Sequence, residues 1–125
     1  RMRNLYHLYG YRRCSTCRSA QAFLEHLGAD VAFHDMVEQP PDESTLRSWL
    51  EAVRGDVKSL VNTRGEVYRR RGLKEVSWST DRWIEEMHRD GKLIRRPVLV
   101  TPSGRVIVGF DEAAYRDAVT EEQAP

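Results

Sequence analysis

The feature that most constrains this chain is a Cys-x-x-Cys sequence, in which Cys14 and Cys17 lie between a predicted strand and a predicted helix. An apolar run over residues 5–9 indicates the strand. Apolar residues then recur at the spacing of a helix: Ala20, Phe23, Leu24 and Leu27. The first N–H groups of a helix lack partners within it and carry partial positive charge, so a thiolate is stabilised there. We therefore predict that Cys14 is a nucleophile and that Cys17, one turn later, is its resolving partner or a bystander.

The residues around the cysteines are strongly basic. Arg12, Arg13 and Arg18 add full positive charges, and no acidic residue lies between Tyr9 and Arg18. Positive charge near a helix start favours a bound anion as well as a thiolate. The segment therefore predicts a reactive thiol in a site that accepts an anion.

Two other interpretations of the cysteines are open. A structural zinc site needs four ligands, whereas this pair supplies two. The histidines show no paired ligand spacing: His7, His26, His34 and His88. Free cysteine is also often simply buried. We expect no metal and favour a redox or nucleophilic pair, because Cys-x-x-Cys beside a βαβ pattern is typical of thioredoxin-like proteins.

Size and composition limit the classes of protein that this chain can belong to. Its 125 residues suit one domain, over 1–125, that buries a core without disulfide bonds. The net charge of +1 argues against a broad nucleic-acid-binding surface. No apolar run is long enough to cross a membrane, and residues 1–4 lack the apolar core of a signal peptide. With two cysteines, these features predict a protein of the reducing cytoplasm, with no membrane partner.

The order of predicted elements indicates the fold. A strand over Asn4–Tyr9, a helix from about Cys14 to Leu27 that Gly28 ends, and a strand over Val31–Asp35 form a βαβ unit with parallel strands. After a break at residues 39–41, helices are predicted in an insertion of about residues 42–91.

Within this insertion, Asp42 is expected to cap a helix that ends at Gly55. The apolar stripe of that helix is Leu46, Trp49, Leu50 and Val53. A short helix is predicted over residues 57–61. Arg69 to Arg71 are predicted to form a solvated face. A further helix begins near Thr80 and ends at Gly91. Its buried residues are Trp83, Ile84 and Met87.

The last third of the chain predicts a hairpin and a helix. Strands over Val98–Val100 and Arg105–Val108 flank a turn, Asp111 caps a helix, and the polar tail from residue 120 is expected to fray. The order βαβ, helices, ββα is that of an α/β, thioredoxin-like fold with a four-stranded mixed sheet. Pro97 suits that fold, where a cis-proline packs beside the Cys-x-x-Cys, although trans is the general default.

Several motifs together resemble the arsenate reductase (ArsC) family of thioredoxin-like proteins, the glutaredoxin-linked type with its Spx-like relatives. The likeness extends from about Leu5 to Tyr115. The motifs are Cys14-Ser-Thr-Cys17-Arg18, Leu60-Val-Asn-Thr-Arg64-Gly65, Arg71-Gly72-Leu73, Leu93-Ile-Arg95-Arg96-Pro97-Val98 and Val108-Gly109-Phe110.

The resemblance implies roles for particular residues. The cysteine matching Cys14 attacks arsenate, and the arginine before the proline, here Arg96, binds the oxyanion. A second family arginine matches Asn62, beside which Arg64 is the nearest arginine, and a third falls at Gly109. With Arg18, these residues give an expected oxyanion set of Arg18, Arg64 and Arg96.

The implied function is thiol-dependent reduction of arsenate to arsenite in the cytoplasm. Either Cys17 or an external thiol would complete the reaction, with glutathione and glutaredoxin, or thioredoxin, as electron donor. No bound cofactor and no direct nucleic-acid contact are expected. Two alternatives stay open: a general thiol–disulfide oxidoreductase, which needs no arginine cluster, and an Spx-like regulator whose redox switch controls binding to RNA polymerase.

Overall fold

Four strands form a mixed sheet in the computed structural model of this protein, within residues 4–125, which the structure describes. The strands are β1 Leu5–Gly10, β2 Asp30–Asp35, β3 Val98–Val100 and β4 Val106–Val108. Their order is β2-β1-β3-β4, with β1 parallel to β2 and the other neighbours antiparallel. The predicted α/β class with a four-stranded mixed sheet is confirmed. Arg1–Arg3, part of the segment predicted to lack an export signal, lie outside the described residues.

Residues 4–125 also contain five α-helices and several short 3₁₀ segments. The helices are α1 Ser15–His26, α2 Glu43–Ser48, α3 Glu66–Arg70, α4 Thr80–Arg89 and α5 Glu112–Gln123. The described chain divides into two compact units, residues 4–35 with 96–125, and residues 36–95. The predicted insertion of about 42–91 falls within the range of the second unit, and the assignment of 1–125 to a single domain stays a prediction.

The first unit packs α1 and α5 against one face of the sheet. The strands alternate, so Tyr6 and Leu8 of β1 are buried while their neighbours are less so. The buried residues of this core are Tyr6, Leu8, Ala20, Leu24, Leu99, Tyr115 and Val119. As predicted, Asp111 caps α5, because its carboxylate accepts the Ala113 N–H at 2.9 Å.

The second unit has its own apolar core. Its fully buried side chains include Leu46, Trp49, Leu60, Leu73, Trp83, Ile84, Met87 and Leu93. Asp42 caps α2 as predicted, accepting the Thr45 N–H at 2.9 Å. Gly91 is buried, and a Cβ built there would lie 1.7 Å from the Met36 carbonyl oxygen, so only glycine fits this close approach.

Three predictions about the second unit need correction. The helix predicted from Asp42 to Gly55 is α2 followed by a 3₁₀ segment, Leu50–Val53, and Arg54 already adopts a left-handed conformation with φ 55°. Leu50 and Val53 are only partly buried. Arg69 to Arg71 are exposed as predicted, but the helix α3, which contains the first two of them, was not predicted. The predicted end of the fourth helix at Gly91 is two residues late.

The predicted fraying of the tail is also wrong, because α5 continues to Gln123. Glu122 holds this end in place. Its carboxylate accepts the Ser103 N–H at 3.1 Å and the Thr101 hydroxyl at 3.2 Å, and it also accepts the Ser103 hydroxyl. These bonds join the last turn of α5 to the β3–β4 turn. Among residues 4–125, no helix is both long and apolar enough to cross a membrane.

Candidate active site at the start of α1

Cys14 lies where the chain leaves β1 and enters α1. It is the N-cap residue of the helix, with extended backbone angles, and no acidic residue occupies the first turn. Its thiol is partly exposed, and both it and Cys17 are free thiols. The junction is therefore the local arrangement that the sequence predicts.

The surroundings of Cys14 lower the pKa of its thiol. Partial burial alone would raise that pKa, but hydrogen bonds from the Cys17 S–H and N–H groups and from Arg96, together with the arginine charge, outweigh it. The Cys14 sulfur accepts no capping hydrogen bond of regular geometry. The Cys17 N–H nevertheless lies close enough to the sulfur to stabilise the thiolate. Because a thiolate is the nucleophilic form of cysteine, Cys14 is the more reactive thiol of the two.

Cys17 has the opposite environment. Its side chain is fully buried, and burial, followed by its hydrogen bond to Cys14, raises the pKa of its thiol to about 12. The sulfur lies against the end of β1, where a Cβ built on Gly10 would be 2.7 Å from it. The absence of a side chain at position 10 therefore makes room for a protonated Cys17 that donates to Cys14.

Arg96 and Pro97 join this site from the start of β3. The Arg96–Pro97 peptide bond, whose isomer the sequence left open, is cis. The Arg96 guanidinium carbon lies 5.3 Å from the centre of the Tyr11 ring, so a residue of the β1–α1 loop holds this arginine by a cation–π contact. The role of Tyr11 could not be predicted from the sequence, because Tyr11 and Arg96 are far apart in the chain.

Arg18 is one of the residues that hold the loop preceding Cys14 in place. Its Nη1 donates to the Arg12 carbonyl at 2.9 Å. The Arg12 N–H donates to Asp35 Oδ2 at 3.2 Å, and the Arg12 side chain lies 3.6 Å from the same oxygen. Both backbone groups of Arg12 are thus fixed. The role of Asp35 was not predicted from the sequence. Asp35 ends β2, and only the parallel pairing of β1 and β2 brings it to the loop.

Arg64 and Gly109 lie beside or at the positions of two further family arginines. Arg64 is an exposed residue of the second unit, where it lines a cavity of its own with Arg69 and Lys74. Gly109, at the position of a third family arginine, has φ 89°, a left-handed conformation that favours glycine. Its carbonyl accepts the Tyr115 hydroxyl at 3.1 Å. The oxyanion roles of Arg18, Arg64 and Arg96 stay predictions.

Two of the histidines meet between neighbouring strands. Although they showed no paired spacing, the rings of His7 on β1 and His34 on β2 share a hydrogen bond of 2.8 Å. Burial, with the charge of His7, lowers the pKa of His34. In the described part of the chain, no group of three or more histidine, cysteine, aspartate or glutamate side chains is arranged to hold a metal ion.

The sequence of this chain matches a known protein family. A family model described as the ArsC family matches residues 9–118. The chain belongs to the ArsC family. The predicted resemblance is therefore confirmed.

Individual proteins that are similar to this chain extend this result. The Bacillus subtilis protein YusI, described as uncharacterized, is 38% identical over 111 residues, which cover 87% of this chain and 93% of YusI. A solved structure described as a possible arsenate reductase from Streptococcus mutans is also 38% identical, with a TM-score of 0.76, over 84% of this chain and 90% of that one. The structural likeness confirms the thioredoxin-like fold.

A relative with a different description also matches along most of its length. The global transcriptional regulator Spx 1 of Lactococcus lactis is 24% identical over 115 residues, which cover 92% of this chain and 89% of the regulator. Proteins similar to this chain thus include one described as a possible arsenate reductase and one described as a global transcriptional regulator.

Proposed function

We propose that this ArsC-family protein is a thiol-dependent reductase that converts arsenate to arsenite in the cytoplasm. The observation that carries the proposal is the lowered pKa of the Cys14 thiol, which has Arg96 as a hydrogen-bonding neighbour. A thiolate attacks arsenic, and an arginine beside it binds the arsenate oxygens. A general thiol–disulfide oxidoreductase would need the thiolate but not the arginine.

The first step forms a bond between sulfur and arsenic. The Cys14 thiolate attacks As(V), one arsenate oxygen leaves as water after protonation, and a Cys14–S–As(V) adduct remains. Charge on the remaining oxygens is stabilised by Arg96 and by N–H groups at the start of α1. Arg18 keeps the loop in place for this step through its bond to the Arg12 carbonyl.

The second step reduces arsenic by two electrons. A second thiolate attacks the Cys14 sulfur, the S–As bond electrons pass to arsenic, arsenite leaves, and a disulfide remains on Cys14. Because burial raises the pKa of Cys17 to about 12, its thiol is poorly prepared to attack. We therefore assign the second thiol to an external donor such as glutathione, with glutaredoxin or thioredoxin restoring Cys14.

Arsenite formation by the purified protein tests this function. Arsenate is supplied with glutathione and glutaredoxin, or with a thioredoxin system. A charge-assisted hydrogen bond contributes about 1.5–3 kcal/mol, so Arg96→Ala is expected to lower kcat/KM by about tenfold to a hundredfold. Arg96→Lys keeps the charge but loses the paired donors, and it should restore activity only in part.

Arg95→Ala is the matched control, since Arg95 is the exposed neighbour of Arg96. It should leave kcat/KM within about twofold of the wild type. Wild-type turnover that Arg96→Ala leaves unchanged would remove the anion site from the proposal. Activity on disulfides alone, insensitive to Arg96→Ala, would identify a general thiol–disulfide oxidoreductase.

The likeness to Spx 1 over 92% of this chain favours a second candidate, a redox-controlled regulator. In that function Cys14 and Cys17 would form a reversible disulfide, and the reduced and oxidised proteins would differ in binding to RNA polymerase. Affinity capture of RNA polymerase by one redox form only, together with no arsenite production in any thiol system, would support the regulator over the reductase.

A further inference from the structure

The second unit contains a basic cavity that the proposed thiol chemistry does not use. It has a volume of about 360 Å³, and its wall comes from segment 63–75, chiefly Arg64, Tyr68, Arg69, Lys74 and Glu75. This volume is at the lower end of the range of roughly 300–1,000 Å³ typical of small-molecule sites. The cavity is therefore large enough for a small organic ligand.

The cations of this cavity differ from their neighbours in the same basic run. Arg70 pairs with Glu66 at 3.1 Å, and Arg71 pairs with Glu86 at 2.9 Å. By contrast, within residues 4–125 no carboxylate lies in ion-pair range of the cavity residues Arg64, Arg69 and Lys74. Three cations with no ion-pair partner around one cavity attract an anion.

Tyr68 lines the cavity and carries an aromatic ring and a hydroxyl group. Its side chain is largely buried, and its hydroxyl oxygen accepts a hydrogen bond from Lys58 Nζ at 3.0 Å. An ammonium group only donates, so the hydroxyl hydrogen of Tyr68 stays available for another acceptor. Lys58 is itself held at 5.4 Å from the Tyr68 ring and 5.5 Å from the Trp83 ring.

We propose that this cavity binds a small carboxylate ligand with an apolar body. The arginine forks match a carboxylate, the Tyr68 hydroxyl can donate to it, and the Tyr68 ring packs against an apolar group. Glu75 lies on the same wall and repels further negative charge, which disfavours multiply charged phosphates. The proposal depends on no step of the reductase chemistry.

Hippurate is a suitable probe, because it joins a carboxylate to a benzoyl group. Titration of the ¹⁵N-labelled protein should produce saturable amide shifts in residues 63–75, with a Kd of about 1–10 mM. Hippuramide has the same body without the charge and should bind at least about tenfold more weakly. Tyr68→Phe keeps the ring, removes the donor and should weaken hippurate binding about threefold to tenfold.

Arg69→Gln and Lys74→Gln are each expected to weaken hippurate binding at least about threefold. Arg70→Gln is the matched control: it removes an adjacent arginine that is paired with Glu66, and it should leave the Kd within about twofold. Three outcomes would overturn the proposal: no saturable shift up to 50 mM probe, equal binding of hippuramide, or equal weakening by Arg70→Gln.

Discussion

Cys14 in the first unit and Glu86 in the second are both acidic groups with a lowered pKa: Cys17 and then Arg96 lower that of Cys14, and two arginines lower that of Glu86. Glu86 is covered, with its side chain 7% exposed, and it uses both oxygens: Arg71 donates to one at 2.9 Å and Arg82 to the other at 3.0 Å. Both arginines also stack on Trp78, at 5.7 and 4.6 Å from the ring centre.

The sulfur of Cys14 is less completely enclosed by its neighbours than the Glu86 carboxylate is. Arg96 and Cys17 stabilise its charged form, yet the side chain stays partly exposed. A buried carboxylate with an arginine on each oxygen is closed to a substrate, so it stabilises the fold. A partly exposed thiolate keeps lone pairs for attack. The same arginine chemistry therefore serves structure in one unit and, in our proposal, catalysis in the other.

Replacing the nucleophile should give the largest effect. Cys14→Ser is expected to lower arsenite production by at least about a thousandfold, because a neutral hydroxyl replaces the thiolate. The free energy of unfolding should change by less than about 1 kcal/mol, since this partly exposed side chain belongs to no core. Turnover and urea unfolding, measured on the same preparation, check both parts. Retention of a tenth of the wild-type rate would contradict the role of Cys14.

Glu86→Gln should show the converse pattern, a loss of stability with the Cys14 thiol unaffected. Breaking a buried ion pair costs about 3–5 kcal/mol, but Arg71 and Arg82 are partly exposed, so about 1–3 kcal/mol is expected. Urea unfolding measures this loss. Glu66→Gln, which breaks the exposed pair with Arg70, is the control and should cost less than about 0.5 kcal/mol.

The stabilisation by Glu86 should also depend on pH. Hydrogen bonds from Arg71 lead the causes that lower the pKa of Glu86 in the folded protein. Its contribution is therefore complete above the ordinary carboxyl pKa of 4.5 and is lost as the pH falls through the lower, folded value. Urea midpoints of the wild type and Glu86→Gln should converge in acid; a constant difference from pH 7 down to pH 2 would refute this assignment.

Removing the Cys17 S–H donor should destabilise the Cys14 thiolate. Cys17→Ala is expected to slow alkylation of Cys14 at pH 7 by about threefold to tenfold, which corresponds to the roughly 0.5–1.5 kcal/mol of one hydrogen bond. The rate–pH profile should move to higher pH. Cys17→Ser keeps a hydroxyl donor and should shift the profile less. Identical profiles for wild type and Cys17→Ala would show that the other donors suffice.

Loosening the loop should have the smallest effect. Asp35→Ala removes the acceptor for the Arg12 N–H and is expected to lower kcat/KM for arsenate by about twofold to fivefold, through poorer placement of the thiolate. Asp35→Asn retains an oxygen acceptor and should recover most of the activity. Steady-state kinetics on both variants decide this, and equal losses in the two would point to the charge of Asp35 instead.

Local signals in the sequence predicted much of the first unit. Three signals each depend on a few neighbouring residues: the apolar run of β1, the Cys-x-x-Cys at the start of α1 and the cap by Asp111. Contacts between distant residues could not be predicted. Arg71 was expected on a solvated face, but Glu86 lies fifteen positions later and binds it. Gly91 was expected to end a helix, whereas its close approach to Met36 explains the glycine.

The candidate site shows the same division between near and distant partners. Cys14 and Cys17 were identified from their spacing, and Arg96 from the family resemblance, in which an arginine precedes the proline. The anion-binding role of Arg18 stays a prediction, and the bond from its Nη1 to a loop carbonyl six positions earlier was not predicted. Tyr11, which packs on Arg96, and Asp35, which fixes the loop, need the folded sheet to reach their partners.

Because Cys17 is buried against Gly10, its reaction with a thiol reagent can report local opening of the protein at this site. In the native state a thiol reagent in solution reaches Cys14 and not the fully buried Cys17. With Cys14 replaced by serine, the remaining thiol reacts only when the start of α1 moves away from the end of β1. The labelling rate, divided by that of an unfolded peptide, then gives the equilibrium constant of this local opening.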